Sequence, residues 1–154
     1  MNEHGFVKAV HRKLPPSVYK WKIHDTYTGG VPDAMYAGPA GALFVEYKYI
    51  PKLPSREDTI IKTGLSPLQI AWLERMCSYK ILVAVIIGSN LGGLILTNQE
   101  WEKELKNKDF IEHGLPTQEV AEWIGKTLLG IQDGTGCVLS GRKPTKTVGK
   151  EKTN

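Results

Sequence analysis

The sequence predicts an α/β domain in which a mixed β-sheet is flanked by helices. Three observations predict it. Two apolar runs meet at the turn Gly38-Pro39-Ala40-Gly41, which reads as a β-hairpin. The run Ile81 to Gly88 is continuously apolar, as a strand covered on both faces must be. Helix-start signals at Ser66, Thr97 and Thr117 then separate strand-like stretches from helical ones, which is the pattern of a layered α/β core.

Residues 3–14 place Glu3, Val7, Val10 and Leu14 on one helical stripe, and Pro15-Pro16 ends it. From Ser17 to Tyr27 the chain alternates, with Tyr19, Trp21 and Ile23 on one face and Lys20, Lys22 and His24 on the other. That is the pattern of a half-buried strand with a basic outer face. After the hairpin, residues 50–64 form a long polar connection that carries Lys52 and Arg56, and long loops of this kind are often functional. Ser66-Pro67-Leu68-Gln69 is a capping box with proline in the first helical position, opening a helix to about Tyr79. Leu91 to Leu96 returns as a strand. Thr97-Asn98-Gln99-Glu100 has the form of a second capping box and predicts a helix to about Lys106. A Thr117 cap begins a last helix with Val120, Trp123, Ile124 and Leu128 inward, and Gly130 ends it.

At 154 residues, one domain with a sizeable core is expected, here 1–141, followed by a basic tail over 142–154. The tail carries Arg142, Lys143, Lys146, Lys150 and Lys152 against Glu151, a net +4 that equals the charge of the whole chain. It shows no apolar periodicity, so it is expected to stay disordered until it meets DNA. A second acid-free cluster, Lys8, Arg12, Lys13, Lys20 and Lys22, precedes the hairpin. Such clusters suit a phosphate backbone, and a solvated surface is the bland alternative. Lys20, Lys22, Lys52, Arg56, Arg142, Lys143 and Lys146 are therefore the DNA-binding candidates. No run of about 18 apolar residues predicts a membrane span. The polar start, Met1-Asn2-Glu3-His4, is unlike a signal peptide. Cys77 and Cys137 form no ligand pattern and are expected to be free thiols in a reducing, cytoplasmic compartment, or a host cytoplasm if the source is viral. The four histidines make no zinc pattern.

The hairpin carries the chemistry. Leu43, Val45, Tyr47 and Tyr49 share one face of its second strand, and Phe44, Glu46 and Lys48 the other. An acid and a lysine thus stand together in a run apolar enough to be core. Asp33, at the head of the first strand, can be returned beside Glu46. Two carboxylates and a lysine at one place suit a hard cation; a solvated edge-strand face is the alternative.

Pro32-Asp33 followed after thirteen positions by Glu46-x-Lys48 resembles the PD-(D/E)XK nuclease signature. The resemblance implies a restriction-endonuclease-like core over residues 3–96. It implies a metal, Mg²⁺ or Mn²⁺, held by Asp33, Glu46 and the carbonyl of Tyr47, with Lys48 positioning or activating the attacking water. It also offers Glu3, on the first helix, as a further ligand; an acid favoured by the helix dipole is the equal alternative. Ser66 and Gln69, followed by an aromatic, leucines and an apolar strand, are similar to the pattern of VRR-NUC domains and archaeal Holliday-junction resolvases, where the glutamine reaches toward the site. In this sequence Gln69 is also explained by its capping box. The expected activity is metal-dependent DNA endonuclease, structure-specific or junction-resolving, by a homodimer or higher homo-oligomer. A site-specific enzyme of homing or restriction type and a non-cleaving DNA-binding module are the alternatives.

Overall fold

A computed structural model describes residues 1–130. The tail, with Arg142, Lys143 and Lys146, as well as Cys137 and the 141/142 boundary, lies outside the described residues. The helices are α1 (Glu3–Lys13), α2 (Pro67–Ser78), α3 (Asn107–His113) and α4 (Thr117–Leu129). The strands are β1 (Tyr19–Lys22), β2 (Ala34–Gly38), β3 (Gly41–Ile50), β4 (Ile60–Ile61), β5 (Leu82–Ser89), β6 (Gly92–Leu96) and β7 (Leu105–Lys106). Five strands form a sheet in the order β1-β2-β3-β5-β6. β3 and β5 are parallel and the other pairs antiparallel, so the sheet is mixed, with helices on both faces, as expected.

The alternation of β3 decides the layers. Leu43, Val45 and Tyr47 enter a core with Phe6, Val7 and Val10 of α1 and Val120, Ile124 and Leu128 of α4. Phe44 joins the opposite core, where Val83, Val85 and Ile87 of β5 meet Leu73 and Trp72 of α2. α1 begins at Asn2, whose side chain accepts from the Gly5 amide, and Leu14 breaks it in an extended conformation before the two prolines.

Three local expectations need correction. The face of Tyr19 and Trp21 is not the buried side of the strand: 61% and 49% of their surfaces are exposed, because no helix among the described residues covers that side of the edge strand. No α-helix follows Thr97. The Glu100 carboxylate does accept from the Thr97 amide, at 3.0 Å, but Asn98 and Gln99 are left-handed (φ 52° and 63°), and only a 3₁₀ turn at Glu100–Glu102 forms. Leu105 is then drawn into a two-residue pairing with Ile61, and the chain becomes helical only at α3, which periodicity did not reveal. The 50–64 connection is consequently pinned: Asn107 Nδ2 donates to the Pro54 carbonyl at 2.7 Å, and the Asn107 and Lys108 amides donate to Thr59 and Glu57. In α4, Thr117 is the first helical residue rather than the cap, and Gly130 ends the helix left-handed (φ 72°).

Candidate active site

The hairpin register builds the site. Gly38 faces Gly41 and Ala34 faces Val45, so one more step sets Asp33 opposite Glu46. The backbone of Asp33 is fixed by the Ile23 amide, which donates to its carbonyl at 2.8 Å. Its side chain takes over where β2 ends: Oδ2 accepts from the Tyr47 amide at 2.9 Å, where the next ladder bond would have been. In a strand the N–H and C=O of one residue point the same way. The Tyr47 carbonyl therefore faces the edge that β2 has vacated.

Glu46 is 3% exposed. Its Oε1 accepts from Gln69 Nε2 at 2.6 Å and lies 3.3 Å from Lys48 Nζ. Both interactions end on Oε1, so Oε2 remains to be turned toward a cation. Burial, and then the negative charge of Asp33, push the Glu46 carboxyl up to about 7, against the pull of Lys48. Two carboxylates that repel each other at a partly dry site have the chemistry of a Mg²⁺ or Mn²⁺ site, in which one or two carboxylates share the ion with substrate phosphate and water. Asp33, Glu46 and the Tyr47 carbonyl fit such an ion.

Gln69 serves two ends at once. Its Oε1 accepts from the Ser66 amide at 2.9 Å while Ser66 Oγ accepts from the Gln69 amide at 3.2 Å, completing the capping box. The spare Nε2 is what reaches Glu46. The cap and the site, read from sequence as competing explanations, are compatible because the amide has an acceptor and a donor end. The first turn of α2 is seated by Gly30, which is left-handed (φ 85°) and packs on the Leu68 carbonyl so closely that a Cβ would collide with it. The loop that delivers Asp33 thus also docks the helix that delivers Gln69.

Glu3 lies at the rim. It is exposed, yet its carboxyl is pushed up, by partial burial first and by Asp33 next, and is drawn down by Lys48 and Lys22. It therefore feels the site. Among the described residues, however, no three His, Cys, Asp or Glu side chains close to a metal-holding group. Lys20 and Lys22 stand on exposed β1, and Lys52 and Arg56 are exposed on the pinned loop, Arg56 near Asp58 at 3.5 Å. His24 is on the surface, as expected, and Cys77 is a free thiol.

The sequence reading missed a chain of side chains behind the site. Tyr47 and Tyr36 are fully buried with their hydroxyls 2.7 Å apart, and Tyr36 Oη lies 2.7 Å from His11 Nε2. The hairpin register held the signal. It puts Tyr36 on the face of Leu43 and Tyr47, and His11 lies on the helical stripe of Val7.

No family model matches the sequence, and no curated protein matches it. Among solved structures the chain is similar to a Holliday junction resolvase from the archaeal hyperthermophile Archaeoglobus fulgidus. The identity is 14%, the TM-score is 0.49, and 77% of this chain and 99% of that one are covered. No helix of the described residues is long and apolar enough to cross a membrane.

Proposed function

We propose that this chain is a divalent-metal-dependent DNA endonuclease. The observation that carries the proposal is the convergence of Asp33, Glu46 and Lys48 at the end of β2, with Gln69 bonded to Glu46. A structural role explains that set poorly. A 3%-exposed carboxylate whose pairing leaves it pushed up to about 7 costs stability, and apolar residues would pack as well.

In the proposed mechanism Asp33, Glu46 and the Tyr47 carbonyl would hold the cation. When bound, such an ion lowers the pKa of water and neutralises charge on the scissile phosphate. Gln69 Nε2 fixes the rotamer of Glu46 through Oε1. Lys48, 23% exposed, reaches past the carboxylate toward solvent, where its ammonium can hold the attacking water or the phosphoryl oxygen. Asp33 Oδ2 accepts from the Tyr47 amide, which locks the strand, and its other oxygen would be the one to serve the ion. Cutting both strands of a duplex needs two such sites, so the acting species would be a symmetric homo-oligomer.

The test is digestion of supercoiled plasmid, linear duplex and a four-way junction side by side in Mg²⁺, by the parent and by Glu46→Gln. The proposal expects cleavage of at least one substrate by the parent alone, and the rank order identifies the DNA structure it acts on. No cleavage of any of the three, or equal cleavage by Glu46→Gln, would overturn it.

A further inference from the structure

We infer that the exposed edge strand β1 is a platform for unpaired nucleotides, with bases stacked on Tyr19 and Trp21 and phosphates on Lys20 and Lys22. The inference rests on the nuclease reading and narrows it to DNA carrying unpaired bases beside the cut.

β1 pairs with β2 alone among the described strands, so its outer edge is unpaired among the described residues. Lysines on such an edge are the ordinary guard against strand pairing. Exposed aromatics do the opposite, since they invite association, and they call for an occupant. Here the two alternate. Tyr19 and Trp21 are exposed on one face of the strand, and Lys20 and Lys22 are exposed on the other. On the lysine face, Lys22 Nζ lies 3.2 Å from His4 Nδ1 of α1, the helix that also carries Lys8 and Arg12. On the aromatic face, Trp21 opens onto a cavity of about 440 Å³ whose wall includes Ile23, Val31 and Phe44, with Lys22 and His24 at the same opening. That volume falls in the range of small-ligand sites, about 300–1,000 Å³. Its one acid, Asp25, is engaged: Oδ1 accepts from the Tyr27 and Thr28 amides at 2.7 and 3.1 Å.

An apolar aromatic wall on one side of a ribbon and cations on the other match the two sides of a single nucleic-acid strand. They do not match a duplex, whose base faces are covered by their neighbours. The site is also in the right place. Lys22 faces Ala34 across the ladder, and the Ile23 amide holds the Asp33 carbonyl, so a strand lying along β1 runs straight to the carboxylates.

The test uses the full chain in Ca²⁺, so that binding is measured without relying on cutting. The probes are oligo(dT) and a blunt duplex of the same length, with the Tyr19→Ala/Trp21→Ala and Lys20→Ala/Lys22→Ala variants. Both pairs are exposed, and a thermal melt checks each fold. The aromatic variant is expected to lose about tenfold or more for oligo(dT), as stacked bases do on alanine substitution, with duplex affinity within about twofold. The lysine variant should weaken both probes and reduce the single-strand salt slope by about 0.7 for every phosphate that it no longer neutralises. Equal losses on the two probes, no loss, or no binding of oligo(dT) by the parent would overturn the inference. So would dissociation of a parent oligomer by the aromatic substitutions, which would assign the face to a second copy of the chain. Cleavage by the parent that survives the aromatic substitutions on every substrate would sink this inference and leave the nuclease reading standing. A selective binding loss in a protein that cuts nothing would do the reverse.

Discussion

Neighbouring residues of β3 bury polar groups on opposite faces of the sheet, and the two sides are finished differently. Behind the sheet, Tyr47 bonds Tyr36 and Tyr36 bonds His11, neutral groups at 2.7 Å. If Tyr47 donates to Tyr36, and Tyr36 to the unprotonated Nε2 of His11, both hydroxyl protons are used. In front, Glu46 is buried with a glutamine and a lysine on one oxygen and another acid beside it, and its carboxyl is pushed up to about 7. Burial alone does not separate the two sides; completeness does. A satisfied polar chain rigidifies a core. An ion left short of partners is what a cation, a proton or a phosphate can complete.

The sharpest way to break that contrast is to neutralise the front. Glu46→Gln and Asp33→Asn should each lower Mg²⁺-dependent nicking by about 100-fold or more, since even the partners of metal ligands typically cost about 10- to 100-fold. Both should still fold, and Glu46→Gln should melt at or above the parent in EDTA, because it removes a poorly compensated buried charge. A strong loss of stability in Glu46→Gln would put this carboxylate with the structural groups instead.

Gln69 tests whether the cap and the site are separable. Ser66→Ala removes the hydroxyl that caps α2 and should cost about 1 kcal/mol with nicking nearly unchanged. Gln69→Ala removes the other half of the box and also the bond to Glu46. It should cost a similar amount of stability and reduce nicking about 10- to 100-fold. Equal activities of the two variants would confine Gln69 to its cap.

The back of the sheet should answer in stability instead. Tyr36→Phe leaves the fully buried Tyr47 hydroxyl without its partner, and the expected cost is about 1–3 kcal/mol by urea unfolding. Tyr36→Phe/Tyr47→Phe removes both polar groups and should be less destabilised than the sum of the single changes. Nicking per folded molecule should stay within a few-fold. Strict additivity would show that the two hydroxyls do not depend on each other.

The legible part of this molecule was what strand alternation and local turn chemistry dictate. The apolar period of β3 assigned Phe44 and Val45 to opposite cores, and the Gly38–Gly41 turn implied a register in which Asp33 meets Glu46. The Ser66 box marked the start of α2. What failed depended on distant partners. Nothing near Trp21 says that no helix will cover it. Nothing near Thr97 says that Leu105 will be claimed by Ile61. The double use of Gln69 needed Gly30 to bring α2 against the loop, a packing that adjoins two segments far apart in sequence.

The smallest expected effect distinguishes the two sides by acid. Burial lowers the His11 pKa first, and Lys20 and Lys22 lower it further. A histidine depressed in the fold contributes stability that is present above its ordinary value near 6.5 and lost as the pH falls below it toward the folded value. The geometry adds a cost of its own. Protonated Nε2 is a donor and cannot accept from Tyr36, so the chain must reverse: His11 donates to Tyr36, Tyr36 to Tyr47, and the Tyr47 proton is left buried with no acceptor. His11→Gln supplies an amide oxygen near the place of Nε2 without titrating. Glu46, pushed up to about 7, titrates in the same range in both proteins, so the difference is what reports His11: from about pH 7.5 down to about 5.5, a window that brackets the ordinary histidine value, the parent's urea midpoint should drop relative to that of His11→Gln, by less than the whole loss in Tyr36→Phe. Once Tyr36→Phe has removed the hydroxyl that His11 accepts from, adding His11→Gln should change the slope less, leaving only the part that burial and the two lysines cause. Parallel midpoints for parent and His11→Gln would mean that the hydroxyl chain runs the other way, with His11 Nε2 already donating at neutral pH.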